Sequence, residues 1–425
     1  MKKTSTIVII ILVLLVIIGG LYWYFLMGPN VAAPGDQTNP GGFNPFGGSR
    51  PGPGGQNATT TGPGGQNTEP GTSTQTPGAL PTLRLLSSSP VGGYGTMAST
   101  TTTVVRWADR GRGNIYEADY KSPVITTLSN TVVPRLYESS WNKDVTAFIG
   151  SLFQESEPAP TTVYAELIRR SVSTATTSSD GTSLTPYSLR GKNVSGDLIA
   201  YASSPDKSRL FMLINENGNG VGYVSSFSGQ NTVKIFTTPL TQINAEWPAD
   251  NIIAITTKGS ASYPGYLYFV SPKTGVWTKM LGPLGGLSAK VSRDGKHILA
   301  SANTKGAVAT RIYTVTPFSS EDAVIRTLAD KCAWGNLYKD MVYCGVPTEI
   351  VSGTYPDGWY MGKTGFVDKV WQVNAITQEV HLVSSLIDQA DRVIDAFNLS
   401  LDPKDDYLFF MNKNDLSLWS LDLAK

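Results

Sequence analysis

Hydrophobic and polar positions divide the chain into three stretches of different character. From Ile7 to Met27 the sequence is uncharged and mostly Ile, Leu and Val. A stretch of about 20 such residues, rising ~1.5 Å each, matches a hydrocarbon core of roughly 30 Å, so residues 7–27 predict one transmembrane helix. Residues 29–80 show no apolar periodicity and hold 13 Gly and 9 Pro, with Gly52-Pro53-Gly54-Gly55-Gln56-Asn57 nearly repeated at Gly62-Pro63-Gly64-Gly65-Gln66-Asn67. Such a segment has too little apolar surface to fold, and 28–80 reads as a flexible linker with an r.m.s. reach of roughly 40 Å. From residue 81 onward the apolar runs are short, rich in β-branched and aromatic residues, and bounded by Gly, Pro, Asn, Asp or Ser. That is a strand-and-turn pattern, and it predicts an all-β domain over 81–425.

The strands recur in a fixed order. The clearest copy runs through Leu287 to Val291, His297 to Ser301, Arg311 to Val315 and Ala323 to Leu328. A copy before it uses Ile243 to Asp250, Ile252 to Thr257, Tyr266 to Val270 and Val276 to Leu281. One after it uses Cys332 to Asp340, Met341 to Val346, Lys369 to Val373 and Val380 to Val383. Further copies start near Gly95, Val133 and Asp197. Four-stranded units repeating every 40 to 60 residues or so predict the blades of a β-propeller. The last copy stops after three strands, at Leu418 to Leu421, and the spare run Thr82 to Leu86 is available as its fourth. Seven blades result, closed by pairing the two ends of the domain; six or eight stay open, because the Ser/Thr-rich 155–195 region is hard to parse.

Ser204-Pro205-Asp206-Lys207, Ser292-Arg293-Asp294-Gly295-Lys296 and Leu401-Asp402-Pro403-Lys404-Asp405 resemble the S-x-D-G-K turn of WD-repeat-like and TolB-like propellers. The resemblance spans roughly 82–425 and implies architecture, not an activity. The whole layout also resembles the membrane-anchored propeller proteins of small-genome bacteria, a likeness that brings no function with it.

Charge sets the topology. Lys2 and Lys3 precede the apolar span and no Lys or Arg follows before Arg50, so the positive-inside rule places the tail 1–6 in the cytoplasm and the propeller outside the plasma membrane. Tyr22 to Phe25 then fall in the outer headgroup layer. A cleaved signal peptide is the rival; Val31-Ala32-Ala33 offers small residues, but Pro34 follows directly and the apolar run exceeds a signal core. With 34 Lys and Arg against 33 Asp and Glu, there is no basic excess of the kind nucleic-acid binders show.

Catalytic signatures are sparse. HExxH, paired-Cys, GxSxG and P-loop motifs are missing from the sequence, and no cofactor or metal set is predicted. His297 and His381 sit in apolar strand runs and read as strand residues. Asp388, Asp391 and Asp395 read as solvated loop charges, and Asn215 to Gly220 as a Gly-rich hairpin turn. Cys332 and Cys344 fall on consecutive strands of one hairpin, where an oxidising exterior favours a disulfide. The remaining feature is the insertion from Thr348 to Asp368. Its Tyr355, Trp359, Tyr360 and Phe366 offer large aromatic contact area of the kind found at binding hot spots, and Asp357, with Gly358, suits a turn projecting Trp359 outward, which makes these five the candidate ligand-binding residues; the other reading is a loop folded back as a plug of the blade-six rim. The expectation is a tethered binding or scaffold module for a protein or cell-envelope polymer, with a glycan- or peptide-processing hydrolase or lyase as the alternative.

Overall fold

The computed structural model describes residues 80–424 except 102, 154–159, 172–184 and 195. The expected tail, membrane helix and nearly all of the linker therefore lie outside the described residues. Among the described residues no helix is long and apolar enough to cross a membrane.

Among the described residues the short apolar runs become 28 strands in seven antiparallel four-stranded sheets. Strand β1 (Leu83–Ser87) stands apart from the first blade, which is β2 (Val91–Ala98), β3 (Thr103–Asp109), β4 (Ile115–Asp119) and β5 (Ile125–Ser129). Blade two is β6 (Leu136–Trp141), β7 (Ala147–Leu152), β8 (Thr161–Arg169) and β9 (Tyr187–Asn193). Blade three is β10 (Asp197–Ser203), β11 (Arg209–Glu216), β12 (Asn219–Ser226) and β13 (Val233–Thr238). Blade four is β14 (Ile243–Ala249), β15 (Ile252–Thr257), β16 (Pro264–Val270) and β17 (Trp277–Gly285). Blade five is β18 (Ser288–Val291), β19 (His297–Thr304), β20 (Ala307–Thr314) and β21 (Ser319–Asp322). Blade six is β22 (Cys332–Trp334), β23 (Met341–Pro347), β24 (Asp368–Asn374) and β25 (Val380–Ser385). Blade seven is β26 (Ala396–Leu401), β27 (Tyr407–Asn412) and β28 (Leu418–Asp422), completed by β1 pairing antiparallel with β28, Leu83 opposite Leu421.

The sequence pattern within a blade follows its radial position. Second strands pack between neighbouring blades on both faces, so β7, β11, β19 and β27 carry unbroken buried runs such as Leu210 to Leu213 and Leu408 to Asn412. Strands buried on both faces read as continuous apolar segments, not alternating ones. The outer strands β5, β13 and β21 are largely exposed. Seven apolar clusters fill the seven blade-to-blade contacts, among them Leu83 with Val370 between blades six and seven and Trp107 with Phe409 between seven and one. Every contact is filled, so the ring is closed and the fold is a seven-bladed propeller.

One turn geometry joins the first two strands of four blades. Asn142, Ser204, Ser292 and Asp402 each accept the amide five residues ahead, from Ala147, Arg209, His297 and Tyr407 at 2.8–3.0 Å. The fourth position is left-handed in all of them: Val145, Lys207, Gly295 and Asp405 have φ of 46, 55, 73 and 60°. Only Gly295 adopts this conformation freely.

Two expected strands differ. The fourth strand of blade five is Ser319–Asp322, not Ala323 to Leu328. The Thr310 hydroxyl captures both the amide and the carbonyl of Thr327, which draws Ile325 and Leu328 inward as a core connector. The first strand of blade six is only Cys332–Trp334, because the Asp405 carboxylate gathers the amides of Asn336, Leu337 and Tyr338 into a turn. Cys332 and Cys344 are direct cross-strand partners with Cα atoms 4.1 Å apart, and they form the expected disulfide.

Candidate functional site at the channel mouth

Residues 348–367 join β23 to β24 and lie as a strap over the face carrying the second-to-third-strand connections. Gly353 donates to Gly306 of blade five at 2.8 Å, and the Asp357 carboxylate accepts the Ala261 amide of blade four at 2.7 Å. The strap thus pins three neighbouring blades together. A single helical turn, Asp357–Tyr360, sits at its centre.

Beneath the strap lies a buried charge cluster. The Lys331 ammonium donates to Asp368 at 2.7 Å, to the Ala396 carbonyl at 3.0 Å and to Asp395, so its three protons are used. All three charged side chains are buried. Asp395 also accepts the Trp359 indole N–H at 3.0 Å and the Phe366 amide at 3.1 Å. The ammonium lies 5.2 Å from the Trp359 ring and 5.1 Å from the Phe366 ring, a cation–π cage. One positive and two negative charges leave an excess carboxylate in a buried site. Burial, outweighing the pull of Lys331, pushes the Asp368 carboxyl up to about 6, and its Oδ1 atom has no hydrogen-bond partner.

Of the two expectations for this insertion, the burial of Trp359, Tyr355 and Phe366 agrees with the folded-back loop and corrects the outward projection of Trp359. Trp359, Tyr355 and Phe366 pack inward with Val308 and Leu328, and Tyr355 stacks on Phe366 at 6.0 Å. Turning Trp359 to solvent would strip a charge-assisted hydrogen bond from a buried carboxylate, which burial of the indole instead satisfies. Asp395 is likewise corrected from a solvated loop charge to a buried anchor, while Asp388 and Asp391 are exposed. The sequence reading missed Lys331 and Asp368. A signal for Lys331 is present: it stands beside Asp330 as an adjacent charge pair between the apolar flanks Leu328-Ala329 and Cys332-Ala333-Trp334.

Tyr360 has a different role. It is 41% exposed, and its hydroxyl donates to Asp330 at 2.5 Å. Burial first, then the Asp330 charge, pushes its phenol well above the ordinary tyrosine range, so it stays a donor. Beside it opens a pocket of about 410 Å³ at the mouth of the central channel. The inner strands β14 and β18 form its walls, with Asn244 and Glu246 on one and Ser288 and Lys290 on the other; Thr256 and Lys258 at the end of β15 complete it. Lys290 is paired with Glu246. Burial alone would lower the Lys290 ammonium, but Glu246 and Asp330 together raise it.

At the other end of the channel, Lys207 and Arg293 occupy the turns of blades three and five. Lys207 is half-buried and Arg293 exposed. Burial and then the Arg293 charge lower the Lys207 ammonium to about 8. His297 stacks on Trp334 and faces Asp340 at 3.6 Å, away from the pocket, and His381 is on the exposed edge strand β25. Among the described residues no group of three or more His, Cys, Asp or Glu side chains converges as a metal-ligand set.

No protein-family model matches the sequence, and no curated protein does. Solved propellers do. TolB from Acinetobacter baumannii is 13% identical, with a TM-score of 0.38 over 74% of this chain, which spans 60% of that protein's length. Oligogalacturonate lyase from Vibrio parahaemolyticus is 10% identical, with a TM-score of 0.45 over 78% of this chain and 97% of its own. A puromycin-hydrolyzing peptidase of Mycobacterium tuberculosis is 13% identical, with a TM-score of 0.45 over 75% of this chain and 50% of its own. At these identities the likeness to TolB-like and other propeller proteins is one of fold alone.

Proposed function

We propose that the chain is a binding module held outside the plasma membrane by residues 7–27, and that it engages a cell-envelope polymer or protein at the strap-bordered channel mouth. The observation carrying this reading is the pocket beside Tyr360, the one strap aromatic that is exposed while the others anchor the loop. Rigid anchoring of a loop that borders a polar pocket is what a pre-organised binding site requires. Binding is favoured over hydrolysis or lysis because Glu246 and Asp330 are each engaged, by Lys290 and Tyr360, which leaves neither poised as a free acid or base. The membrane span and orientation rest on the apolar run and on Lys2 and Lys3.

The test is a photo-reactive amino acid placed at Tyr263, an exposed strap-side position, or at Lys404 on the opposite face, in cells making the full chain. A discrete adduct from position 263 alone supports the reading. Equal labelling from both positions, or none from 263, refutes it. Protease added to intact spheroplasts checks the topology: loss of the propeller without lysis is expected, and full protection overturns the orientation.

A further inference from the structure

We infer that the channel-mouth pocket recognises a neutral sugar unit, a hydroxyl-rich ring without net charge. The inference rests on the proposed binding role and names the class of ligand.

Charge is the first argument. The pocket holds two ammonium groups, Lys258 and Lys290, and two carboxylates, Glu246 and Asp330, so its formal charge is balanced. An ionic ligand would meet as much repulsion as attraction there. An apolar ligand fares worse, since it would strip water from four charged groups and return no hydrogen bonds. What remains is a neutral ligand able to donate and accept at many points.

The hydrogen-bonding groups fit that description. A sugar hydroxyl is donor and acceptor at once and is best met by a wall offering both. Asn244 carries both in one amide, the ammonium groups donate, and the carboxylates accept. The Ser288 hydroxyl is buried, lies beside the Tyr360 hydroxyl and has no well-formed hydrogen bond, so it has capacity to spare. Buried polar groups without partners cost stability unless something completes them.

The third argument is the aromatic ring. Tyr360 is partly exposed, packs at 5.7 Å against the buried Trp359, and borders the pocket. A fixed, half-exposed ring offers a flat apolar surface beside a polar wall, matching the C–H face of a pyranose against its hydroxyl rim. The volume of about 410 Å³ lies in the range of small-molecule sites.

Saturation-transfer NMR on the full-length protein, in a detergent without a sugar headgroup, tests this with cellobiose, N,N′-diacetylchitobiose and digalacturonate as probes. A neutral disaccharide is expected to bind, with affinity falling about tenfold in Tyr360→Ala and in Asn244→Ala, while Tyr360→Phe stays within about threefold of wild type. Added salt should leave that affinity nearly unchanged, because no net charge is neutralised. Circular dichroism confirms that each variant is folded. Failure of both neutral probes at about 10 mM, binding that survives both alanine substitutions, or preference for digalacturonate that weakens with salt overturns the inference. A photo-adduct at position 263 in the absence of sugar binding would refute the sugar alone and leave the binding module standing.

Discussion

Replacing Trp359 tests the strap's anchoring directly. The indole is 3% exposed, packs within the strap's own apolar cluster, and donates at 3.0 Å to a carboxylate that is itself buried. Truncating a buried Trp to Ala costs about 3–5 kcal/mol in packing and cavity. Trp359→Phe keeps an aromatic ring but removes the N–H, and a hydrogen bond to a charged group contributes roughly 1.5–3 kcal/mol. The two variants therefore separate the cavity from the hydrogen bond. Urea unfolding of the full chain followed by circular dichroism should give Trp359→Ala a loss of at least about 3 kcal/mol and Trp359→Phe roughly half of that. Tyr360→Phe, at an exposed position, should leave the midpoint nearly where it is. If Trp359→Ala costs under about 1 kcal/mol, the indole is not an anchor, and the strap is held instead by the Gly353 amide on Gly306 and the Asp357 carboxylate on the Ala261 amide.

Three further outcomes are expected. A carboxyl whose folded-state pKa is raised binds protons more readily folded than unfolded, so the Asp368 contribution is fully present below about pH 4 and is lost as pH rises through about 6. Between those limits wild type should lose on the order of 2 kcal/mol relative to Asp368→Asn in parallel denaturation series, with Lys331 and Asp395 the charged groups facing the site; a pH-independent difference refutes it. Cys332 and Cys344 are buried, so alkylation under reducing conditions should modify both only after unfolding, and replacing both by Ala should cost up to roughly 3 kcal/mol. Lys207, with its ammonium near 8, should acylate at lower pH than the surface lysines in a quantitative mass-spectrometric series, and Arg293→Met should raise the pH at which it reacts.

Architecture was legible in the sequence for a local reason. The buried second strands announce themselves as unbroken apolar runs, and the Ser/Asp turns beside them fix where each hairpin folds back, so a repeat unit emerges from short-range signals. Ring closure by β1 followed from a missing fourth strand, a deficit visible without any contact information. The strap was legible as an insertion but not in its orientation. Whether Trp359 faces in or out depends on Lys331 and Asp395, 28 residues before and 36 residues after it, and such non-local pairing leaves no periodicity. The pocket was illegible for the same reason, since its walls come from inner strands whose facing residues look like ordinary alternating strand polarity.

Closure by the first strand also sets an order of events during synthesis. Leu83 leaves the ribosome early, but its partner Leu421 is almost the last residue of the domain to appear. At about 5–20 residues per second, the nascent chain spends on the order of tens of seconds with β1 unpaired and the β28 position still empty. Until β28 is made, Leu83, Leu85 and Leu86 lack the strand that pairs with them in the closed ring, and unpaired apolar strands are the kind of segment that recruits wrong partners. The ring is thus shut when the propeller strand made first meets the propeller strand made last.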